Sequence, residues 1–347
     1  MSILRVGLSG TGRIGRLLLR KVFSTEQSAV EVGVINSLSS PETIAHLLKY
    51  DSVHGKWDGE AEVDGNDLIL NGRRVAVTSQ AAPELLPWRE YEVEMAIDAT
   101  GKFNDRDGAS RHLKAGAEKV LITAPGSGVD LTVVMGVNDS QYDPRKHRII
   151  SAASCTTNCL APVLHVVDKA FGVEQGWMTT IHSYTNDQNH LDNSHKDLRR
   201  ARACTSSIIP TSTGVGKALK EVIPHLSSVI EGISMRVPTQ NVSMLDLSLQ
   251  LKRKATLNEV REVFLEAVSG PQTKVMEYNE LPLVSTDYIG NEKSAIIDGL
   301  STMVRGDQLK LFAWYDNEWA YASRVYDLAM HVSNAHHSLE TRSVVSV

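Results

Sequence analysis

A chain of 347 residues, 42% apolar and 22% charged, is long enough for two domains and too close to average composition for extended disorder. Its formal net charge of −5 speaks against a nucleic-acid or membrane-surface role, and no apolar stretch approaches a membrane span. Three cysteines, Cys155, Cys159 and Cys204, make no disulfide framework and suit a reducing compartment, hence the cytoplasm. The C-x3-C spacing of the first two comes with no paired histidine motif, so no metal is expected. The opening MSILRVGLSG lacks the shape of a signal peptide.

In chain order, residues 4–8 form a strand that enters Gly10-Thr11-Gly12-Arg13-Ile14-Gly15 directly. A helical run over 16–23 and a second strand over 30–35 follow. Strand, G-x-G-x-x-G, helix, strand is the dinucleotide-binding fingerprint in its proper context. Gly10 permits the tight turn, Gly12 lets backbone approach a pyrophosphate, and Gly15 lets helix pack on strand. The phosphates then sit at the helix N-terminus. A plain glycine turn is the alternative. The second strand is followed by Asn36 and Ser37, where an acid usually holds the adenosine ribose. That leaves room for a 2′-phosphate with no charge to repel it; equally, Ser37 or water could hold the ribose of NAD. Strands at 95–98, 119–123, 131–137 and 147–150, with a helix at 109–115, continue the alternation and imply a parallel sheet. Thr100, Gly101 and Thr123 fall at strand carboxyl ends, where ligands of such sheets bind.

The segment Ser151-Ala-Ala-Ser154-Cys155-Thr156-Thr157-Asn158-Cys159 opens a run with helical periodicity that extends to 171. Cys155 therefore sits at or near a helix start, with a bend or irregular first turn expected from Pro162. A cysteine is a nucleophile as thiolate, which a helix N-terminus and a nearby imidazole, here His182, both favour. A buried structural cysteine and a core histidine bonded to backbone are the competing readings.

By these residues the chain resembles the phosphorylating glyceraldehyde-3-phosphate dehydrogenase family over about residues 5–332. The likeness runs through Gly12-Arg-Ile-Gly15-Arg, Ser154-Cys155-Thr-Thr-Asn-Cys159, His182-Ser-Tyr-Thr185-Asn-Asp-Gln, Ile208-Ile-Pro-Thr-Ser-Thr213-Gly214, Met235-Arg236-Val-Pro-Thr-Gln-Asn and Trp314-Tyr-Asp-Asn317-Glu. The resemblance implies an α/β chain with a Rossmann-type dinucleotide-binding domain over 1–154. An α+β catalytic domain with a mixed sheet covers 155–319, and a C-terminal helix over 320–347 packs back on the first domain and ends in a polar tail. Within the catalytic domain, strands are expected at 177–182, 230–237 and 241–251, and helices at 212–222 and 258–267. The last helix is expected over 322–332, and the tail from 333 suits disorder.

The resemblance also implies roles. Cys155 matches the nucleophile and His182 its base. Thr185 and Arg236 match the site for the substrate's phosphate. Ser154, Thr156, Thr213 and Gly214 match the site for attacking inorganic phosphate, with Arg200 near both; a solvated basic face is the competing reading of Arg199, Arg200 and Arg202. Gly10, Thr11, Gly12, Arg13, Ile14, Ser37, Thr100, Gly101 and Thr123 match the cofactor site, and Asn317 the holder of the nicotinamide carboxamide, with Tyr321 nearby. The reaction implied is oxidation of glyceraldehyde 3-phosphate through a cysteine thioester, with hydride passed to NAD(P), and release of an acyl phosphate. A homotetramer is expected on the same ground. Erythrose-4-phosphate dehydrogenase is the near alternative, disfavoured by Thr185; a secondary binding role is the distant one.

Several positions depart from the family's usual residues: Ser9 and Thr11 in the first turn, no arginine at 79–83, and Ala320 for glycine. Asn36-Ser37 stands for Asn-Asp, and Asn193-Ser194 for a Leu-Pro pair. Such changes mark members that use NADP in biosynthesis, including a bacterial gluconeogenic branch. NADP is therefore the expected cofactor, with Ser37, Asn193 and Ser194 at the ribose and NAD accepted less well.

Overall fold

The computed structural model describes residues 3–344, with side chains described through residue 335. By contacts it divides into two units: Met1–Ser154 together with the chain from Ala322 onward, and Cys155–Tyr321.

The first unit is a nine-stranded sheet. Its elements are β1 (Leu4–Ser9), α1 (Arg13–Ser24), β2 (Val30–Asn36), α2 (Pro41–Lys49), β3 (Ala61–Asp64), β4 (Asp67–Leu70), β5 (Arg73–Thr78), β6 (Met95–Asp98), α3 (Arg106–Lys114), β7 (Lys119–Ile122), β8 (Leu131–Thr132) and β9 (Ile149–Ser151). The order is β3-β4-β5-β2-β1-β6-β7-β9-β8. β1 is parallel to both β2 and β6, so the chain reverses direction across the sheet at β1, and the crevice at that carboxyl end is where such sheets bind ligands. The inner strands are near-continuous apolar runs, as a sheet covered on both faces requires: Val6 and Leu8, Val34 and Ile35, Met95–Ile97 and Val120–Ile122 are all buried.

The second unit holds α4 (Cys155–Phe171), β10 (Val173–Ser183), β11 (Ile209–Thr211), α5 (Val215–Val222), β12 (Ile230–Val237), β13 (Ser243–Leu251), α6 (Leu257–Ser269), β14 (Met276–Asn279), β15 (Ala295–Asp298), β16 (Met303–Arg305), β17 (Gln308–Tyr315) and the start of α7 (Trp319–Val344). The sheet runs β11-β12-β10-β13-β17-β15-β14, with β16 on β17. It is mixed: β10 is parallel to β12 and antiparallel to β13. Helix α4 touches β10, β13, β15 and β17. The period-2 alternation of β10 buries Met178, Thr180 and His182 and leaves Trp177 exposed. The first unit is thus a Rossmann-type domain and the second an α+β domain with a mixed sheet.

Several sequence expectations are corrected. The strand expected over 131–137 stops at Thr132, because Asn138 closes a turn behind it: its Oδ1 accepts from Val134 N and its Nδ2 donates to Thr132 O. The strand expected from 147 starts at Ile149, because His147 closes a turn by accepting from Asp143 N through Nδ1. Helix α3 starts at Arg106 rather than 109, where the Asp105 side chain accepts from Gly108 N. Helix α4 runs through Pro162 without a break. The last helix is longer than expected. Asp316 Oδ1 receives the N–H groups of Glu318 and Trp319 and starts α7 at 319. With no Gly or Pro to stop it, α7 continues to Val344, so the supposedly disordered tail is helical to that point. Residues 345–347 lie outside the described residues. The hairpins of β3–β5 and the far edge of the second sheet, β14–β17, were not anticipated.

Candidate active site

The turn from β9 into α4 carries Cys155. Ser151 Oγ accepts from Ala153 N (3.0 Å) and Gly126 N (3.1 Å) and donates to Ala124 O (2.6 Å). Ala153, fully buried, is held at φ 56°, a left-handed conformation that costs an L-residue roughly 1–2 kcal/mol. This elbow delivers Cys155 as the first residue of α4, where the first N–H groups of the helix have no partner within it. The first turn carries no acid.

His182 comes from the end of β10, and its Nε2 lies 3.5 Å from Cys155 Sγ. Its Nδ1 has two neighbours, Ser183 O at 2.7 Å and Arg236 Nη1 at 2.7 Å. Arg236 is placed by register, directly opposite His182 in the β10–β12 ladder, and so shares its face. Its Nη1 also donates to Ser183 O at 3.0 Å, while its Nε is buried without a partner.

Burial moves the titrations of this pair apart from what the sequence suggested. It pushes the Cys155 thiol up, against the pull of the Arg236 charge and of Thr156. It pushes the His182 imidazolium down to about 3, with Arg236 adding to the effect. The expectation that helix and imidazole together hold a thiolate is therefore corrected: each charge alone is disfavoured by desolvation. Formed together at 3.5 Å they attract, so proton transfer from sulfur to nitrogen is a coupled event of the pair. Cys159, fully buried, is pushed well above the usual thiol range, and Cys204 is raised by burial as well. Cys155 is the half-exposed one of the three.

Thr156 Oγ1 lies 3.0 Å from Tyr315 OH, which in turn lies 2.8 Å from Thr180 Oγ1. Tyr315 also packs edge-on against the His182 ring at 6.0 Å. Behind the histidine, Asn317 Oδ1 accepts from Ser183 Oγ and Ser243 Oγ, both at 2.9 Å. That fixes the amide with Nδ2 as its remaining donor end. Tyr321 is buried. Arg200 is engaged by Thr211 Oγ1 at 3.0 Å and paired with the Asp187 carboxylate. Thr185 N donates to Gln188 Oε1. Thr213 is half-buried and Gly214 is the exposed N-cap of α5. Asn193 and Ser194 lie exposed in the loop before β11, their carbonyls accepting from Asn189 Nδ2.

In the first unit, the cofactor candidates meet at the ends of adjacent strands. A Cβ on Gly15 would stand 2.1 Å from Gly10 O, and one on Gly10, at φ 98°, 2.8 Å from Ala99 backbone. Gly12 meets nothing within 4 Å. Two of the three glycines are thus demanded by the protein's own packing, while the space over the third is open. Gly12 N-caps α1 with no side chain bonded there, and Arg13, Ile14 and Gly15 form an acid-free first turn, a fit for a pyrophosphate. Thr11 Oγ1 lies 2.6 Å from Ser37 Oγ, which also accepts from Ser39 N. Asp98 Oδ1 accepts from the Thr100 N–H and hydroxyl, setting the turn to Gly101, and Thr123 N donates to Asp98 O.

Sequence reasoning missed Tyr315, Thr180, Ser183, Ser243 and Asp187. Tyr315 and Asp187 lay inside quoted motifs, Trp314-Tyr-Asp-Asn317 and Thr185-Asn-Asp-Gln; strand alternation was the available signal for Thr180. Among the described residues no helix is long and apolar enough to cross a membrane, and no cluster of three or more His, Cys, Asp or Glu could hold a metal ion.

Residues 4–106 match the family model for the glyceraldehyde 3-phosphate dehydrogenase NAD binding domain, and 154–317 that for the C-terminal domain. The chain is 52% identical over 330 residues to glyceraldehyde-3-phosphate dehydrogenase 2 of Bacillus subtilis, covering 95% of this chain and 96% of the relative. It is 49% identical over 331 residues to the glyceraldehyde-3-phosphate dehydrogenase of Geobacillus stearothermophilus, covering 95% and 98%. It is also 49% identical over 329 residues to glyceraldehyde-3-phosphate dehydrogenase 2 of a Nostoc species, covering 94% and 98%.

Proposed function

Because the chain belongs to the glyceraldehyde 3-phosphate dehydrogenase family, we propose that it oxidises glyceraldehyde 3-phosphate to 1,3-bisphosphoglycerate, reversibly, with Cys155 as nucleophile and His182 as base. The observation that carries this reading is the 3.5 Å approach of His182 Nε2 to Cys155 Sγ at the start of α4. Nε2 takes the thiol proton as sulfur attacks the aldehyde carbon. The Cys155 N–H at the helix start faces the developing oxyanion, and the imidazolium returns a proton to give a thiohemiacetal. The same nitrogen then removes the hydroxyl proton as the C–H bond breaks. The nicotinamide, when bound, supplies the hydride acceptor. The thioester left on Cys155 is attacked by inorganic phosphate; its C–S bond breaks and the acyl phosphate departs.

Arg236 and Thr185 hold the substrate's phosphate in this reading, and Arg200, Ser154, Thr156, Thr213 and Gly214 the attacking one; Arg forks and hydroxyls are what phosphate oxygens want. Asp187 occupies Arg200 until an anion takes its place. The first turn of α1 holds the pyrophosphate, and Asn317 Nδ2 the carboxamide.

NADP is the preferred cofactor in this reading. Ser37 stands where an acid would repel a 2′-phosphate; its oxygen accepts from Ser39 N and its hydroxyl shares a hydrogen bond with Thr11 Oγ1. The enzyme is a cytoplasmic homotetramer of the gluconeogenic type. Support for assembly is the sheet face of the second unit opposite α4, where Trp177 is 66% and Met303 57% exposed, an apolar surface that monomers rarely leave open.

Peptide mapping after brief iodoacetamide treatment tests the nucleophile: Cys155 should label far faster than Cys159 or Cys204, and equal labelling would sink the assignment. Assays with triose and tetrose phosphates decide the substrate, and light scattering the assembly.

A further inference from the structure

Three strand ends meet beside His182. β10 closes at Ser183, β13 opens at Ser243, and β17 closes at Tyr315, just before Asn317. β13 is antiparallel to both neighbours, with Met244 opposite Ile181 and Ser243 opposite Tyr315, so register brings Ser183, Ser243 and Asn317 to one point. Both serines are fully buried and Asn317 is nearly so. The backbone entering β13 is strained to reach this point. Val242, itself buried, stands at φ 66°, a conformation that a β-branched residue keeps only where its surroundings enforce it. Ser183 also carries the carbonyl that lies 2.7 Å from His182 Nδ1, so one residue joins the imidazole to the amide.

The hydrogen bonds at this junction all run toward the amide. Ser183 N donates to Ser243 Oγ at 3.1 Å, and the hydroxyls of Ser243 and Ser183 each donate to Asn317 Oδ1 at 2.9 Å. A carboxamide oxygen has two lone pairs, and the two serines take both. Turning the amide over would set its NH2 group against the serines and leave two buried hydroxyl protons without an acceptor, a costly state for a buried donor. The amide is therefore held with Nδ2 turned away from the serines, and Nδ2 has no protein partner among the described residues. An NH2 group only donates. The ligand group it fits is an acceptor: the oxygen of a carboxamide, and not that carboxamide's own NH2.

We propose that Ser183 and Ser243 are positioning residues that lock the Asn317 amide with its NH2 outward, so that the site reads the oxygen of the cofactor's carboxamide. Neither serine touches the cofactor in this account; both act through Asn317. A donor fixed before the ligand arrives has no orientation to give up on binding, which is where such a lock gains affinity. The inference rests on the reading of Asn317 as the holder of the nicotinamide carboxamide.

The test is calorimetric titration of the intact enzyme, freed of bound nucleotide, with oxidised cofactor and with its 3-acetylpyridine analogue. The analogue keeps the carbonyl oxygen on the ring and carries a methyl group in place of the NH2. Asn317→Ala should raise Kd for both ligands by the same factor, roughly tenfold, the ratio one net hydrogen bond supplies. Ser183→Ala with Ser243→Ala should weaken both severalfold, and should add nothing once Asn317 is alanine, because residues that act through a third are non-additive with it. Asn317→Ala that weakens the cofactor and spares the analogue shows the amide oxygen outward and overturns the proposal. So does a serine pair whose removal leaves Kd unchanged, or whose loss adds in full to that of Asn317. Should the doubly substituted enzyme not fold, Ser243→Ala alone runs the same cycle. Asn317→Ala that binds both ligands as tightly as the unmutated enzyme would instead bring down the underlying reading of Asn317.

Discussion

Two strand-to-helix turns carry the chemistry, and they are built on opposite principles. The β1–α1 turn works through what it lacks. Gly10 and Gly15 have no room for a Cβ, Gly12 has room and no Cβ, and no side chain caps the helix. The β9–α4 turn works through what it presents. A strained Ala153, pinned by the Ser151 hydroxyl, projects a thiol toward an imidazole. The first turn should fail when an atom is added, the second when a functional group is exchanged at constant size.

The sharpest break is Cys155→Ser, nearly isosteric. It should leave folding intact and reduce turnover on the order of 10⁴–10⁶-fold, as loss of a nucleophile does elsewhere; retained activity on steady-state assay would remove the second half of the comparison. His182→Asn should slow acylation by roughly 10²–10⁴-fold. The imidazole is a base only when unprotonated, so with an imidazolium pushed down to about 3, activity tied to this group persists as pH falls and is lost only through that low value. A pH profile unaltered in His182→Asn would make the residue structural. In the glycine turn the same atom should act differently at two positions. Gly15→Ala places a Cβ against Gly10 O and should destabilise the fold by roughly 1–3 kcal/mol, read from denaturant unfolding. Gly12→Ala should leave stability within about 0.5 kcal/mol and weaken cofactor binding, read by titration. Equal effects at both positions would erase the distinction between packing glycines and a ligand glycine. The smallest expected effect is cofactor choice. Ser37→Asp with Asn193→Leu and Ser194→Pro should move preference from NADP toward NAD by roughly tenfold to a few hundred-fold, two or three neutral hydrogen bonds' worth. An unmutated enzyme favouring NAD by more than about tenfold, the ratio one such net bond supplies, contradicts the reading of both loops.

The two turns also differ in how much of them could be read from sequence. The glycine turn is local: conformation and clearance at residues 10, 12 and 15 are properties of a short segment, and strand, turn and helix appear in order. The cysteine turn announces its helix, because the apolar periodicity behind Cys155 is clear. Its environment is not local. Tyr315 lies 159 residues from Thr156 in sequence, and only the register of β10, β12, β13 and β17 brings Arg236, His182 and Tyr315 onto one face. Register is a cooperative property of the sheet, so neither the contact of Arg236 with the His182 ring nor the Asp187 clasp on Arg200 was visible in any motif. The direction of the thiol shift was misread for the same cause: local groups favour the thiolate, but burial, which only the folded sheet supplies, outweighs them. The helix end was misjudged for a simpler reason. Polarity after 333 suits disorder, yet nothing in that stretch breaks a helix.

The covalent role of Cys155 is tested most directly by trapping its acyl adduct. Intact enzyme given glyceraldehyde 3-phosphate and oxidised cofactor, with phosphate withheld, should accumulate an acyl adduct that peptide mass spectrometry places on Cys155, and added inorganic phosphate should discharge it as acyl phosphate. Turnover with no adduct on Cys155, or with the acyl group on another residue, would contradict it.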